Sequence, residues 1–220
     1  MTQTYPSCST PYSGLNEPLR EGAVIITPNN RLAESLMTQY FHAKPSATLE
    51  KPSCLAYSAF LKQCFKHIRH TQTNTTHPTL LTDCQLQTLW QTHVFDIHTP
   101  QTLISAVHQA FVTCQNFLLD FPHQKFQDTT QTKQFEDWCL SLKSALKTLL
   151  AIPEPELPQY ITQTDARFTF KHIIWVAFDE YTPAQTRLQA YLEAKGIQQT
   201  HFELPNTPCA QYQVPAEVKT

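Results

Sequence analysis

The chain is 220 residues long, with 41% hydrophobic residues, 15% charged residues and a formal net charge of −2. This length allows one domain with a full core, or one domain that carries an insertion. The nearly balanced charge argues against a free-standing DNA-binding module, which usually has a basic face. No glycine falls between Gly22 and Gly196, so a glycine-rich phosphate loop is hard to place in that stretch.

The cysteines and the apolar runs indicate a soluble protein of the cytoplasm. The seven cysteines are scattered without a Cys-x-x-Cys pair, which is typical of reduced thiols and not of a disulfide framework. No apolar run reaches the about 18 residues of a membrane span, and the N-terminus lacks a basic segment followed by an apolar one. We therefore expect a cytoplasmic location and no contact with a membrane.

The first seventy residues predict the beginning of an α/β fold. Residues 1–22 are polar and rich in Pro, Ser and Thr, which predicts a flexible arm. The apolar run at 23–27 predicts a buried strand, and 53–56 predicts a second one. An amphipathic helix is expected after each strand, and strands that alternate with helices over 23–70 indicate a parallel sheet.

Residues 71–164 follow a different pattern, which predicts an all-helical insertion. A polar linker comes first, and three long amphipathic helices then follow without a strand signal, ending before the Pro-rich segment at 152–158. Trp90, Phe111 and Trp138 lie on the apolar stripes of these helices. We therefore expect them in the core of the insertion and not in a platform that stacks bases.

The α/β pattern resumes at 165–204. The run at 171–178 is the strongest strand signal in the chain, because it is continuously apolar and β-branched and so predicts burial on both faces. A helix that ends at Gly196 comes next, and 200–204 predicts a short last strand. Residues 205–220 are expected to form a polar tail or the start of a linker.

Helix starts can be placed by their capping residues. The expected capping signals are Asn29 or Asn30, Ser58, the capping box Thr82–Gln85, Thr99 followed by Pro100, and the capping box Thr182–Gln185 with Pro183 at the first helical position. Together these patterns predict an α/β fold: a parallel sheet like that of the P-loop NTPases, sandwiched by helices. The predicted organisation is an α/β core of 23–70 and 165–204, with a helical insertion of 71–164.

Open parallel sheets bind ligands at the carboxyl ends of their strands, and two such ends carry polar residues. Asn29, Asn30 and Arg31 follow the first strand, while Asp179 and Glu180 follow the buried strand at 171–178. A P-loop ATPase has a glycine-rich loop with a lysine at the first position and an Asp-Glu pair at the second. The first position here has neither glycine nor lysine, so the charge of a transferred phosphoryl group has little to stabilise it.

A simpler interpretation of both ends stays open. Asn29 or Asn30 fits a structural N-cap beside a solvent-facing Arg31, although a helix N-terminus still attracts the phosphate of a nucleic acid without glycine. Asp179 and Glu180 equally fit a polar turn ahead of the next helix, or the vestige of a metal site.

Four segments resemble the N-terminal part of the AddB-like "probable DNA repair protein" family: ITPNNRLAESL, PSCLAYSAFLKQCF, LLTDCQLQTLWQTHV and IIWVAFDEYTPAQTRLQAYLEAKG. The resemblance covers about residues 23–204. Its most specific block, at 173–185, is the buried strand together with the F-D-E-x-T-P-x-Q motif that follows it, and T-P-N-x-R-L-A comes second. Members are bacterial proteins with a superfamily I helicase-type core, interrupted by a helical subdomain, and a PD-(D/E)XK exonuclease at the far C-terminus.

The resemblance implies a degenerate ATP site. It aligns Asn29, Asn30 and Arg31 with the Walker A loop, and it places Asp179, Glu180 and Gln185 near the Walker B position. The chain ends before a second helicase domain or a nuclease, so we expect a fragment or a truncated product without nuclease activity.

Three hypotheses on function follow. The first is a non-catalytic helicase-like scaffold without a cofactor, which contacts DNA weakly through phosphates and assembles with the remaining domains of a nuclease or a partner subunit. The second is a nucleotide hydrolase that uses Asp179 and Glu180 with ATP and Mg²⁺, with Arg31 as a substitute phosphate contact. The third is a protein-interaction module that docks a partner through the helical insertion.

Histidines and cysteines give weaker signals. Cys64, His67 and His70 have helical spacing, but His70 turns away from the other two, so the spacing argues against a zinc site. His93 lies in an apolar stripe, which favours a hydrogen-bonded core histidine. No spacing of Cys and His points to a nucleophilic pair.

Overall fold

The computed structural model describes residues 21–203 except 43–52, 74–75 and 97, together with Leu15 and Pro18. Almost all of the expected arm at 1–22 and the whole expected tail at 205–220 therefore lie outside the described residues. The strands are β1 (Val24–Thr27), β2 (Cys54–Ala56), β3 (Thr79–Leu81), β4 (Ala151–Pro153), β5 (His172–Val176) and β6 (Gln198–Phe202). The helices are α1 (Asn30–His42), α2 (Tyr57–Thr71), α3 (Asp83–Leu89), α4 (Gln101–Asn116), α5 (Thr130–Thr148), α6 (Leu157–Gln163) and α7 (Pro183–Ala194).

The larger sheet in the described part of the chain is parallel throughout and has the order β2-β1-β5-β6. Its two central strands, β1 and β5, are buried along almost their whole length. Burial on both faces explains why their sequences are continuous apolar runs and do not alternate with polar residues. The predicted α/β fold with a parallel sheet flanked by helices is confirmed.

Helices cover both faces of this sheet. Val24 and Ile26 face a core that contains the apolar residues of α2, α6 and α7. Ile25, which points the opposite way, packs with Leu36 and Tyr40 of α1. Helix α6 lies within the range predicted for the insertion, yet it packs on the sheet, so the core of the sheet extends back to that part of the chain.

Helices α3, α4 and α5 have a hydrophobic core of their own. Trp90 and Phe111 are fully buried in it, with their ring centroids 5.8 Å apart in an edge-on arrangement. Trp138 packs against the same cluster. The prediction that these aromatic residues form the core of the insertion is confirmed. None of the described helices combines the length and apolar character needed to cross a membrane.

A second, two-stranded parallel sheet pairs β3 with β4, with Leu80 opposite Ile152. The sequence predicted no strand here, and this prediction was wrong. Three-residue strands are too short to show a period of two, and their pairing joins segments on either side of helices α3, α4 and α5. The pair closes the insertion at its base, where the Thr79 amide donates to the carbonyl of Leu150 (2.7 Å).

The capping predictions had mixed outcomes. The boxes that begin with Thr82 and Thr182 are both present, each with its Gln side chain accepting from the cap amide. The prediction for Ser58 was wrong, because the N-cap of α2 is Ala56, two residues earlier at the end of strand β2, and it makes no side-chain hydrogen bond. Thr99 is also not the cap, since Pro100 occupies that position without a side-chain hydrogen bond.

Candidate functional site

The carboxyl edge of the large sheet brings the two predicted polar turns side by side. β1 and β5 are direct neighbours, with Ile26 paired to Trp175. The turn after Thr27 and the turn after Val176 therefore leave adjacent strands at the same edge. This is the edge at which open α/β sheets bind their ligands.

Asn29 serves the helix that follows β1. Its side-chain oxygen accepts a hydrogen bond from the Leu32 amide (2.9 Å), which is the geometry of an N-cap. The hydroxyl of Thr27, a buried residue, donates to the Asn29 carbonyl (2.9 Å) and fixes the turn. Because the Asn29 side chain takes up one of the free amides of α1, fewer donors are left for an anion.

Asn30 and Arg31 are exposed at this helix end. Asn30 lines a groove of about 390 Å³ between α1 and β2, together with apolar residues such as Met37 and Leu55. Asp179 is not among the residues that line it. The groove therefore belongs to the free edge of β2, and the two polar turns do not share it.

Asp179 and Glu180 are exposed, and aromatic packing holds the loop that carries them. The rings of Phe178 and Tyr181 stack with centroids 5.3 Å apart, on either side of the two carboxylates in the sequence. The Tyr181 hydroxyl and His201 Nδ1 are 2.7 Å apart in a hydrogen bond. The loop is thus fixed by its aromatic residues, while the carboxylates face solvent.

Gln185 does not face the site. Its side-chain oxygen accepts from the Thr182 amide (2.8 Å), and its own amide donates to the Thr182 hydroxyl (3.3 Å). Both contacts belong to the capping box of α7. Within the described residues, no three or more His, Cys, Asp or Glu side chains come together in a group that could hold a metal ion.

A cleft between the insertion and helix α2 was not predicted from the sequence. It has a volume of about 360 Å³ and is lined by Tyr57 of α2, Asp83 of α3 and His108 of α4, among others. His108 is only 2% exposed, and its Nε2 lies 2.8 Å from the Asp83 carboxylate. Burial also raises the pKa of the Tyr57 hydroxyl.

The sequence did contain a signal for this buried histidine. Ile104, His108 and Phe111 have the i, i+4, i+7 spacing of one helix face, and all three are buried. The expectation that His93 is the core histidine was wrong. His93 is exposed, at the end of the π-helical turn Trp90–Val94, and its ring bonds only the neighbouring Thr92 hydroxyl (2.7 Å).

Cys64 and His67 of α2 both have structural surroundings. Burial raises the pKa of the Cys64 thiol to about 12, which is the opposite of what a nucleophile or a metal ligand needs. His67 Nε2 is 2.6 Å from the carbonyl oxygen of Arg167, a contact that ties α2 to the segment before β5. His67 therefore has a structural contact here.

The fold and this edge together define the class of the protein: an α/β protein with a parallel sheet, a helical insertion with its own core, and exposed polar turns after two central strands. Neither a protein-family model nor a curated protein matches the chain.

Proposed function

We propose that this chain is a catalytically inactive helicase-like domain of an AddB-like DNA-repair exonuclease from a bacterial cytoplasm. Under this proposal its sheet is of the P-loop type with a degenerate Walker A turn. It acts as a scaffold, or contacts DNA independently of sequence, beside the remaining domains of the nuclease or a partner subunit. No cofactor is needed for either role.

The turn after β1 provides the main support for this proposal. Asn29 caps α1 with its own side chain, and the turn offers neither a flexible glycine backbone nor an ammonium group to hold a triphosphate. Asp179 and Glu180, which the resemblance aligns near a Walker B pair, lie in solvent without a third ligand beside them in the described part of the chain. These features oppose tight binding of a nucleotide with Mg²⁺.

Contact with DNA would use Arg31 and the N-terminus of α1. Arg31 is exposed at the helix end whose partial positive charge favours phosphate. A contact of this kind recognises the backbone and not the bases, so it has no preference for sequence. It is expected to be weak and to fall with salt.

Calorimetry with ATP and Mg²⁺, beside fluorescence anisotropy with labelled DNA, tests the proposal. We expect no saturable micromolar binding of ATP. Arg31→Gln should weaken DNA binding equally for unrelated sequences and reduce the salt slope by about 0.7 to 0.9. Lys133→Gln, which removes an exposed charge from α5, is the matched control.

Saturable micromolar ATP binding that is abolished by Asp179→Ala would overturn the proposal. It would favour the nucleotide hydrolase with Asp179, Glu180 and Mg²⁺ instead. Equal losses of DNA affinity in Arg31→Gln and Lys133→Gln would show that the contact is merely electrostatic and not located at α1.

A further inference from the structure

A second groove lies at the amino edge of the large sheet, opposite the polar turns. The segment before β5 and the turn before β6 border it, and the amide of Gln198 donates to the Lys171 carbonyl between them (2.9 Å). Its volume is about 650 Å³, and its lining includes Arg167, Phe168, Lys171 and Lys195. None of these residues belongs to the site described above.

The groove carries an excess of positive charge. Arg167, Lys171 and Lys195 face one carboxylate, Asp165, with which Lys195 forms an ion pair. Three cations against one anion leave two positive charges in a chain whose formal net charge is −2. Lys195 follows α7 directly and offsets the partial negative charge of that helix end, so the helix end does not repel an anion from the groove.

Two aromatic rings lie between the basic side chains. Phe168 and Phe170 stack with ring centroids 5.1 Å apart and planes at 20°. Both are half-buried, and both line the groove. Phe170 is held from below by Phe60 of the core, at a centroid distance of 5.7 Å.

Phe168 also packs against His67 of α2, with the two ring planes inclined by 33°. Its ring lies 5.8 Å from the ring of His67, centroid to centroid. His67 is itself bonded to the carbonyl of Arg167, so the basic and aromatic residues of the segment share one anchor on α2. The segment thus presents a fixed ring beside exposed cations.

We infer that this groove binds single-stranded nucleic acid, with phosphates on Arg167 and Lys171 and a base stacked on Phe168. Aromatic faces beside a basic groove are the combination that single strands need, because every base has a ring face and every linkage a phosphate. An acidic peptide supplies negative charge without a base to stack on the ring. In a duplex, neighbouring bases already cover the faces of each base. The inference does not depend on the proposed function, which concerns the opposite edge of the sheet.

The charges are tested by anisotropy with a fluorescein-labelled oligothymidylate and the whole chain. The double variant Arg167→Gln/Lys171→Gln is expected to bind about tenfold more weakly and to lose about 1.4 from the salt slope, because two phosphate contacts disappear. Both side chains are exposed, so the variant should fold. Lys133→Gln/Lys147→Gln removes two exposed charges from α5 and should bind like the wild type.

The ring is tested separately. Phe168→Leu should weaken binding about fivefold or more at an unchanged salt slope. Phe41→Leu, an exposed ring on α1, is its control. Circular dichroism checks the folding of each variant. If Phe168→Leu does not fold, the double charge variant still tests whether the groove binds the oligonucleotide.

Any of the following results overturns the inference: affinity of the double charge variant within twofold of its α5 control, equal affinity for a duplex of the same length, or full affinity in a folded Phe168→Leu variant. Competition by thymidine monophosphate as effective as that by the oligonucleotide would also overturn it in favour of a mononucleotide site. Arg31→Gln separates the two edges. A loss in this variant alone supports the proposed function and rejects the amino-edge groove, and a loss in Arg167→Gln/Lys171→Gln alone does the reverse.

Discussion

Ala177 links β5 to the loop that carries Asp179 and Glu180, and its backbone lies in the left-handed region with φ at 57°. A Cβ atom in this region approaches the following carbonyl oxygen, which costs about 1–2 kcal/mol. The conformation is held because the Ala177 amide still donates to the Phe202 carbonyl of β6 (3.0 Å). The sharp turn out of the sheet at this edge therefore carries local backbone strain at Ala177.

Ala177→Gly should therefore raise the free energy of unfolding, by about 0.5–1 kcal/mol after the larger chain entropy of glycine is subtracted. Urea unfolding followed by circular dichroism measures the change. Ala190→Gly, at an exposed position within α7, is the matched control and should lower stability by about 1 kcal/mol. Equal destabilisation in both variants would contradict the assignment of strain to Ala177.

At the level of single residues, the sequence predicted the chemical role of a side chain better than it predicted whether that side chain is buried. A cap at Asn29 or Asn30 was recognisable because its role depends on the next three residues only, and the structure assigns it to Asn29. His108 was missed although it has core spacing, since a histidine is not counted among apolar residues when a stripe is traced. The roles of Arg167 and Phe168 depend on a contact with α2 far away in the sequence, and no local pattern reveals such a contact.

At the level of elements, substitutions of the residue that caps α1 can separate the structural role of this helix end from its binding role. The N-terminus of α1 has one side-chain cap, Asn29, and an exposed Arg31 next to it. An aspartate in the capping position keeps the hydrogen bond to the Leu32 amide and also suits the helix dipole. It places a negative charge, however, where the proposed function puts a phosphate.

We therefore expect a different outcome for each substitution of Asn29. Asn29→Ala should lower the free energy of unfolding by about 1 kcal/mol, because an amide of α1 loses its acceptor. Asn29→Asp should leave stability unchanged or raise it, and should still weaken DNA binding. Urea unfolding and anisotropy measure the two effects. Unchanged DNA affinity in Asn29→Asp would count against a phosphate at this helix end.

Elements that depend on local sequence were predictable, and those that depend on distant pairing were not. The boxes at Thr82 and Thr182 need only four residues each, and both were identified correctly. β3 and β4 become strands only by pairing with each other across the insertion. β4 moreover ends in Pro153, a residue that has no amide hydrogen to donate and is disfavoured in strands.

For the whole molecule, the alternation of strands and helices was enough to predict the α/β class, because buried parallel strands have a distinctive composition. The ends of the insertion were harder to predict. Leu157 and Ile161 of α6 lie within the range predicted for the insertion, but they are fully buried in the core of the sheet. Periodicity predicts that a helix face is covered, and it does not say which core covers it.

The junction between the two cores contains a carboxylate that opposes folding at neutral pH. Glu156 lies between β4 and α6, and its Oε1 is buried without a hydrogen-bond partner in the described part of the chain. Burial raises its pKa above the ordinary value of 4.5, Asp120 raises it further, and Lys143 of α5 acts in the opposite direction. A raised carboxyl pKa means that the folded state holds the proton more tightly than the unfolded state does.

The contribution of Glu156 to stability is consequently most favourable below pH 4.5, and it is lost as the pH rises through the folded-state pKa. Glu156→Gln removes this titration and should raise the free energy of unfolding at pH 8 by about 1 kcal/mol, the lower end for an unpaired buried group, since the amide still lacks partners. The gain should disappear near pH 4. Urea unfolding at pH 4, 6 and 8 measures it, with Glu34→Gln on the exposed face of α1 reporting the effect of net charge alone. If the gain is the same at all three pH values, the effect of Glu156→Gln on the free energy of unfolding comes from packing and not from the buried charge.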